Sequence, residues 1–226
     1  MKKIVIQCAG TKNPCGSFVD KVGKLVKFVA QPELCQSNEK FNFQKPDGLD
    51  SDGISWRDKL ITYNKTQYKE NPLKFLKAYE LYKPAAYKGL VDKFGIENVY
   101  ILSAGWGLVN ADYLLPDYDI TFSSTKKKDK YKKRKVLDYF NDFNFIDSNN
   151  NDEIIFLGGK SYQRLFVKLT NHLSSKKVIV YNSDKMPNFD QIKSEKFTKL
   201  GKSGKRLNMN WQYECAKEII NEKFKI

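Results

Sequence analysis

Four short runs rich in β-branched residues, Lys3–Cys8, Val99–Ser103, Glu153–Leu157 and Val178–Tyr181, are spread along the chain with helical stretches between them. Helical periodicity runs over Asn71–Phe94 with a break at Pro84, over Lys126–Phe145, from Gly158 to about His172, and from about Met209 to Lys223. Strands alternating with helices predict the α/β class: a central, mostly parallel sheet of about four strands with helices on both faces. The 226 residues fit a single α/β domain spanning 1–226. Residues 31–70, which mix Pro, Gly, Asp, Ser and Asn with scattered aromatics, read as an irregular insertion. In such folds ligands bind beyond the carboxyl ends of the strands. The loops to watch are Ala9–Pro14, Ala104–Phe122, Gly158–Tyr162 and Asn182–Asp184.

Composition narrows the function classes. Forty Lys and Arg oppose 26 Asp and Glu, a formal net charge of +14, and a field of that sign attracts polyanions. A lysine bias in the coding genome offers a plainer source for the same number. Cys8, Cys15, Cys35 and Cys215 form no CxxC pair, and the only histidine, His172, stands in no metal-binding motif, so no metal and no cofactor are expected. Reduced thiols suit a cytoplasmic protein. No apolar run reaches the roughly 20 residues of a membrane span, and the N-terminal run Ile4–Ile6 is too short for a secretory core. No obligate protein partner is evident.

Several segments carry candidate chemistry. Gly158-Gly159-Lys160-Ser161 imitates the end of a P-loop, but Ile154 stands where the first glycine belongs, which excludes a nucleotide triphosphatase. The glycine pair at a strand-to-helix junction is either an anion-binding turn or a plain tight turn. The loop Ala104–Phe122 carries Trp106 between two glycines and ends in Pro116-Asp117-Tyr118-Asp119. Asp119 suits general-base or cation-stabilising work, while Asp117 reads as a cap for the segment beginning at Ile120. Lys126–Lys135 holds eight basic residues in ten, and Lys199–Arg206 is a second basic patch with two glycines. Each run alone reads as a solvated face. Together with the net charge they predict a nucleic-acid footprint of Lys126, Lys127, Lys128, Lys132, Lys133, Arg134, Lys202, Lys205 and Arg206. In Arg206–Trp211, Asn208 or Asn210 can cap the last helix while Trp211 enters the core. The same asparagine and tryptophan chemistry can also read a base edge and stack on it.

Four ordered motifs together resemble a bacterial and phage domain family related to the YaaA proteins. They are IVIQCAGTKN with Cys8, Gly10 and Lys12; a helical element with Leu81, Tyr82 and Tyr87; LSAGWGLVNADYLLPDYDITF with Ser103 and Tyr118; and a strand followed by Gly158, Gly159 and Tyr162. The match covers roughly residues 1–182 apart from the insertion, and Asp117 departs from the family pattern before the tyrosine. The resemblance implies a fold similar to uracil-DNA glycosylases and a DNA N-glycosylase that excises a modified base, such as glucosylated hydroxymethylcytosine of phage DNA, in antiphage defence. Its alternatives are a non-catalytic DNA-binding stress protein of the YaaA kind, and a nucleoside or nucleotide glycosidase that uses the same pocket. On the glycosylase reading, Asp119 stabilises the oxocarbenium-like sugar or orients water. Lys12 and Asn13, with Cys8, Gly10 and the Gly158-Gly159 turn, hold the leaving base or a flanking phosphate. Tyr82, Tyr87, Trp106 or Trp211 forms a stacking wall. Attack by Lys12 itself, giving lyase activity, is the lesser variant.

Overall fold

The structure, a computed structural model, describes residues 1–36, 38–123, 125–135, 137–200 and 209–226. Its elements in chain order are β1 (Lys2–Gln7), β2 (Leu25–Val29), β3 (Phe41–Gln44), α1 (Trp56–Thr66), β4 (Leu76–Lys77), α2 (Ala78–Leu81) and α3 (Ala86–Phe94). There follow β5 (Val99–Ser103), β6 (Gly107–Asn110), β7 (Leu114–Leu115), β8 (Tyr118–Asp119), β9 (Phe143–Asn144), β10 (Glu153–Leu157), α4 (Lys160–Thr170), β11 (Lys176–Tyr181), β12 (Ile192–Lys196) and α5 (Trp211–Ile220).

Among the described residues the main sheet has seven strands in the order β12-β11-β10-β1-β5-β6-β9, not about four. Every neighbouring pair is parallel except β5 with β6. The four β-branched runs form its centre and are almost wholly buried, as strands covered on both faces must be. The strands missing from the sequence reading are peripheral. β12 (IKSEK) is a polar edge, β9 is two residues long, and β6 lies inside what reads as a loop. α3 and α5 pack on each other over β1, β5 and β10, while α4 lies over β6. Right-handed crossovers leave the β1/β10 pair in opposite directions, which puts α3 and α4 on opposite faces. The carboxyl ends of β1 and β10 therefore flank the point where the strand order reverses.

Three further expectations need correction. Residues 31–70 are not irregular: β3 pairs in parallel with β2, β2 pairs with β8, and α1 follows. α1 starts at a side-chain N-cap, Ser55 Oγ accepting from the Asp58 N–H at 3.1 Å and donating to its carboxylate at 2.6 Å. The described residues of Lys126–Phe145 do not form the expected helix; among them Lys127–Lys132 forms a 3-10 turn, consistent with the mutual repulsion of so many ammoniums on one helical cylinder. Asn71–Phe94 opens not as helix but as turns and the short β4, then α2; the chain breaks at Pro84 as expected and resumes as α3.

The turn between β5 and β6 requires its glycines. Gly107 has φ +91°, and a Cβ there would collide with the backbone of Phe143 on β9; a Cβ on Gly105 would press on the Tyr118 ring.

Candidate functional site

The loop after β1 is laced to the end of α2. Asn13 N–H donates to Leu81 O (2.8 Å), Asn13 Nδ2 to Glu80 O (2.7 Å) and Lys83 N–H to Thr11 O (3.2 Å), with a β-bridge between Lys12 and Tyr82. This brings the first two sequence motifs together. The other two reach the same place from the ends of β5 and β10.

At the centre is a buried cluster of one thiol, one serine and four phenols. Cys8 Sγ lies 3.3 Å from the Tyr162 hydroxyl and accepts the Ala104 N–H at 3.4 Å. Ser103 Oγ accepts the N–H groups of Gly105 (3.2 Å) and Trp106 (3.1 Å) and donates to the Tyr118 hydroxyl at 3.0 Å. Tyr118 and Tyr82 share a 2.6 Å hydrogen bond, and Tyr87 donates to Gln7 O at 2.8 Å. Gln7 Oε1 accepts the Gly159 N–H at 2.6 Å, tying the end of β1 to the start of α4 across the switch point. Burial, reinforced by the nearby Cys8, pushes the phenols of Tyr82, Tyr118 and Tyr162 well above their ordinary value of about 10; for Tyr87 burial acts first and Tyr213 second. They are neutral donors throughout the physiological range.

Two buried guanidiniums hold the loop that follows β5. Arg134 Nη1 donates to Ala104 O (2.8 Å), and Arg57 donates to Gly105 O (2.7 Å) and Trp106 O (3.1 Å). With its carbonyls engaged on that side, the loop turns three N–H groups toward Cys8 and Ser103. Arg134 is also paired bidentately with Asp142 at 2.7 and 2.6 Å, and Arg57 is paired with Asp47. Neither arginine was legible as a positioning residue. Arg134 stands in a lysine run, and only its burial separates it from that footprint.

Lys12 and Asp119 both neighbour Tyr118, Lys12 through space and Asp119 along the chain. The half-buried Lys12 ammonium sits 4.2 Å from the centre of the Tyr118 ring and has no ion-pair partner among the described residues. Asp119, the next residue along β8, is half-buried and paired with Lys132 Nζ at 3.0 Å; Lys132 also holds Asp129 at 3.0 Å. Burial works to lower the Lys132 ammonium, but Asp129 and Asp119 outweigh it and raise it, so Lys132 stays charged. Cys15, in the same loop region, is pushed up to about 12 by burial and by Asp117 against the pull of Lys12 and Lys27, so it is a thiol at neutral pH and no nucleophile.

Other expected residues go elsewhere. All four candidates for a stacking wall are inside the protein: Tyr82, Tyr87, Trp106 and Trp211 are 0–6% exposed. Trp106 packs against Phe28 and Phe143, and Trp211 against Phe197. Arg134 cannot belong to a surface footprint. Asp117 does not cap a helix; none starts at Ile120, and it pairs with Lys27 at 3.5 Å. Asn210 occupies the N-cap position of α5 in the left-handed conformation, but its side chain makes no capping hydrogen bond. Lys202, Lys205, Arg206 and Asn208 lie outside the described residues.

Gly10 is exposed, Gly158 buried and Gly159 half-buried at the N-cap of α4. Lys126, Lys127, Lys128 and Lys133 are exposed beside Asp119 and its partner Lys132, with exposed Leu137 and Tyr139 following. A cavity of ≈ 550 Å³ opens on the outer side of Tyr82, bordered by Asn13, Glu80, Lys83 and Lys88. Among the described residues no group of His, Cys, Asp or Glu is placed to hold a metal, and no helix is long and apolar enough to cross a membrane.

No curated protein and no solved structure matches the chain. Residues 60–184, more than half of the 226, match a family of unknown function (DUF6884). That span contains Tyr82, Ser103, Tyr118, Asp119 and the Gly158–Tyr162 turn, and the chain belongs to this family.

Proposed function

We propose that the chain is a DNA N-glycosylase of uracil-DNA-glycosylase-like fold, removing a modified base to leave an abasic site. The observation that carries this reading is the Lys12 ammonium against the Tyr118 ring, with Asp119 the next residue along β8 and paired with Lys132 beside the exposed Lys126, Lys127, Lys128 and Lys133. A glycosylase must extrude its target nucleotide at a cost of roughly a few kcal/mol before reaching the glycosidic bond. The lysines would hold the flanking phosphates, and exposed Leu137 and Tyr139 would fill the gap in the stack. Asp119 would face the sugar as positive charge develops at its anomeric carbon, orienting the water that forms the new C–O bond. The C–N bond breaks with its electron pair going to the base, where the Lys12 ammonium would stabilise the departing anion until it takes up the proton that the attacking water releases.

The closed packing of the Cys8, Ser103 and tyrosine cluster favours a second reading, a DNA-binding protein without chemistry. Duplexes containing plain, uracil, hydroxymethylated or glucosyl-hydroxymethylated bases, treated with protein and then alkali, separate the two. Strand cleavage in one modified duplex, lost in Asp119→Asn, is expected. Band shifts with intact strands throughout would establish the binding reading instead.

A further inference from the structure

Three aromatic rings outside the core lie side by side, and neither the fold nor the proposed chemistry uses them. Phe41 and Phe43 come from β3, the edge strand of the small sheet ordered β3-β2-β8, and Tyr131 comes from the 3-10 turn of the basic run. All three are half-buried, and none belongs to the hydrophobic core or to the residues packed against it. Ring centres stand 6.1 Å apart between Phe41 and Phe43 and 6.4 Å apart between Phe43 and Tyr131. Strand alternation sends Phe41 and Phe43 to one face and Asn42 and Gln44 to the other, where Asn42 Nδ2 donates to Asp20 at 2.9 Å. The register carries the first face across the sheet: Phe43 is opposite Lys27, and Val29, two residues on, is opposite Asp119. The two phenylalanines and Asp119 therefore share one face.

The rings are held in place by the fold itself. Gln31 fastens the turn carrying Tyr131 to the end of β2, its N–H donating to Tyr131 O (2.9 Å) and its Nε2 to Lys133 O (2.7 Å). On the other side Thr121 N–H donates to Lys132 O and Arg134 N–H to Thr121 O, both at 2.9 Å. Cations interleave with the rings. The Lys27 and Lys40 ammoniums lie 5.6 and 5.2 Å from the centre of the Phe41 ring, and that of Lys132 lies 5.4 Å from the Tyr131 centre. Asp117 engages Lys27, while Asp119 and Asp129 engage Lys132. Lys40, Lys130 and Lys133, with Lys126, Lys127 and Lys128 beyond them, are exposed and have no ion-pair partner among the described residues. The unpaired carboxylates of the flanking segments are Glu33 and Glu39, so positive charge is in excess on this face.

We propose that this face binds an unpaired nucleic-acid strand, its bases stacking on Phe41, Phe43 and Tyr131 and its phosphates meeting the lysines. Flat rings interleaved with ammoniums match the two repeating parts of such a strand, a π-face and an anion. A ring can stack only on a base whose own face is open, which the interior of a duplex does not offer. The spacings of 6.1 and 6.4 Å also exceed the rise of about 3.4 Å per nucleotide in a duplex strand, so one base per ring requires a strand drawn out of duplex geometry. Such binding presupposes the nucleic-acid reading of the site but no bond cleavage; it fixes the form in which a strand reaches Asp119.

Fluorescence anisotropy of the full chain tests this with three labelled probes of about 12 nucleotides: a single strand of DNA, the same sequence as a duplex, and a base-free strand of abasic sugar-phosphate units. The parent is expected to bind the single strand at least about tenfold more tightly than the base-free strand. Phe41→Leu and Phe43→Leu keep apolar bulk but remove the flat face. Each is expected to weaken single-strand binding about fivefold or more, with the salt slope unchanged and with duplex and base-free binding within about twofold of the parent. Phe43→Trp, which keeps a face for stacking, is expected to bind the single strand as the parent does. Equal affinity of the parent for the single strand and the base-free strand overturns the proposal. So does parental single-strand binding in both leucine variants, or an equal loss on all three probes; in each of these cases lysine-driven DNA binding and base excision stand untouched. Absence of binding to every probe would remove the nucleic-acid reading itself and leave this face to a protein partner.

Discussion

Replacing Arg134 by methionine tests whether this residue belongs to the fold or to the DNA footprint. Its side chain and that of Asp142 are 2% and 1% exposed, joined by two hydrogen bonds at 2.7 and 2.6 Å. A third bond, at 2.8 Å, reaches Ala104 O, and the guanidinium lies 3.9 Å from the Phe140 ring centre. Removing one member of such a pair strands the other charge in a dry interior, which costs about 3–5 kcal/mol. That is about a fifth or more of a typical domain's stability of about 5–15 kcal/mol, and lowers Tm by about 6–20 °C at this size. The net worth of the pair is smaller than the cost of breaking it, because both charges were desolvated and Arg134 Nε is buried without a partner. Arg134→Met combined with Asp142→Leu should therefore recover most of the loss, to within about 1–2 kcal/mol of the parent, with a coupling energy of about 4 kcal/mol or more. Urea unfolding followed by circular dichroism of the parent, both single variants and the double variant closes the cycle. A single variant within about 1 kcal/mol of the parent would refute the reasoning. So would a drop of about one in the salt slope of DNA binding in the folded double variant, since that is the signature of a phosphate left without its cation.

Three further outcomes follow from the geometry. The phenols of Tyr82, Tyr87, Tyr118 and Tyr162 have folded pKa values raised above the unfolded value of about 10, so their contribution to stability is intact below that value and lost as pH climbs beyond it toward the raised values. Each costs about 1.4 kcal/mol per pH unit in that window, and ultraviolet titration should show phenolate absorbance from these residues only as the protein unfolds; their reversible ionisation near pH 10 in the folded protein would contradict the burial argument. Changing Lys126, Lys127 and Lys128 to glutamine should lower the salt slope of DNA affinity by about one for each phosphate no longer neutralised, with stability held within about 0.5 kcal/mol, measured by fluorescence anisotropy and thermal unfolding. Asp119→Asn should retain DNA affinity within a few-fold yet reduce base excision by about 10²–10³, and a variant of undiminished activity would remove Asp119 from the mechanism.

The sequence marks the centre of the fold well and its margins poorly, for a physical reason. Strands buried on both faces, such as Val99–Ser103 and Glu153–Leu157, must be apolar and β-branched, so their bounds are readable residue by residue. β6, β9 and β12 owe their place to neighbours distant in sequence and carry no such mark. The start of α1 is written as Ser55-x-x-Asp58, a capping signal hidden among the turn residues of 31–70. For the site, motif order foretells that Cys8, Tyr82, Ser103, Tyr118 and Tyr162 meet, because each follows a strand or helix that ends at the same edge. Composition does not foretell which members of a group are spent internally. Arg134 and Arg57 are indistinguishable in sequence from surface cations, and only the loop carbonyls and the carboxylates of Asp142 and Asp47 reveal their work. Tryptophans face the same ambiguity, since Trp106 and Trp211 suit a core as well as a base stack.

The most direct measurement is mass spectrometry of a modified duplex after incubation with the parent protein and with Asp119→Asn. A glycosylase gives a strand lighter by one base with water in its place and the free base in solution, and the variant gives neither product. A strand of unchanged mass under conditions where anisotropy shows it fully bound would contradict the glycosylase assignment and leave DNA binding as the activity of this site.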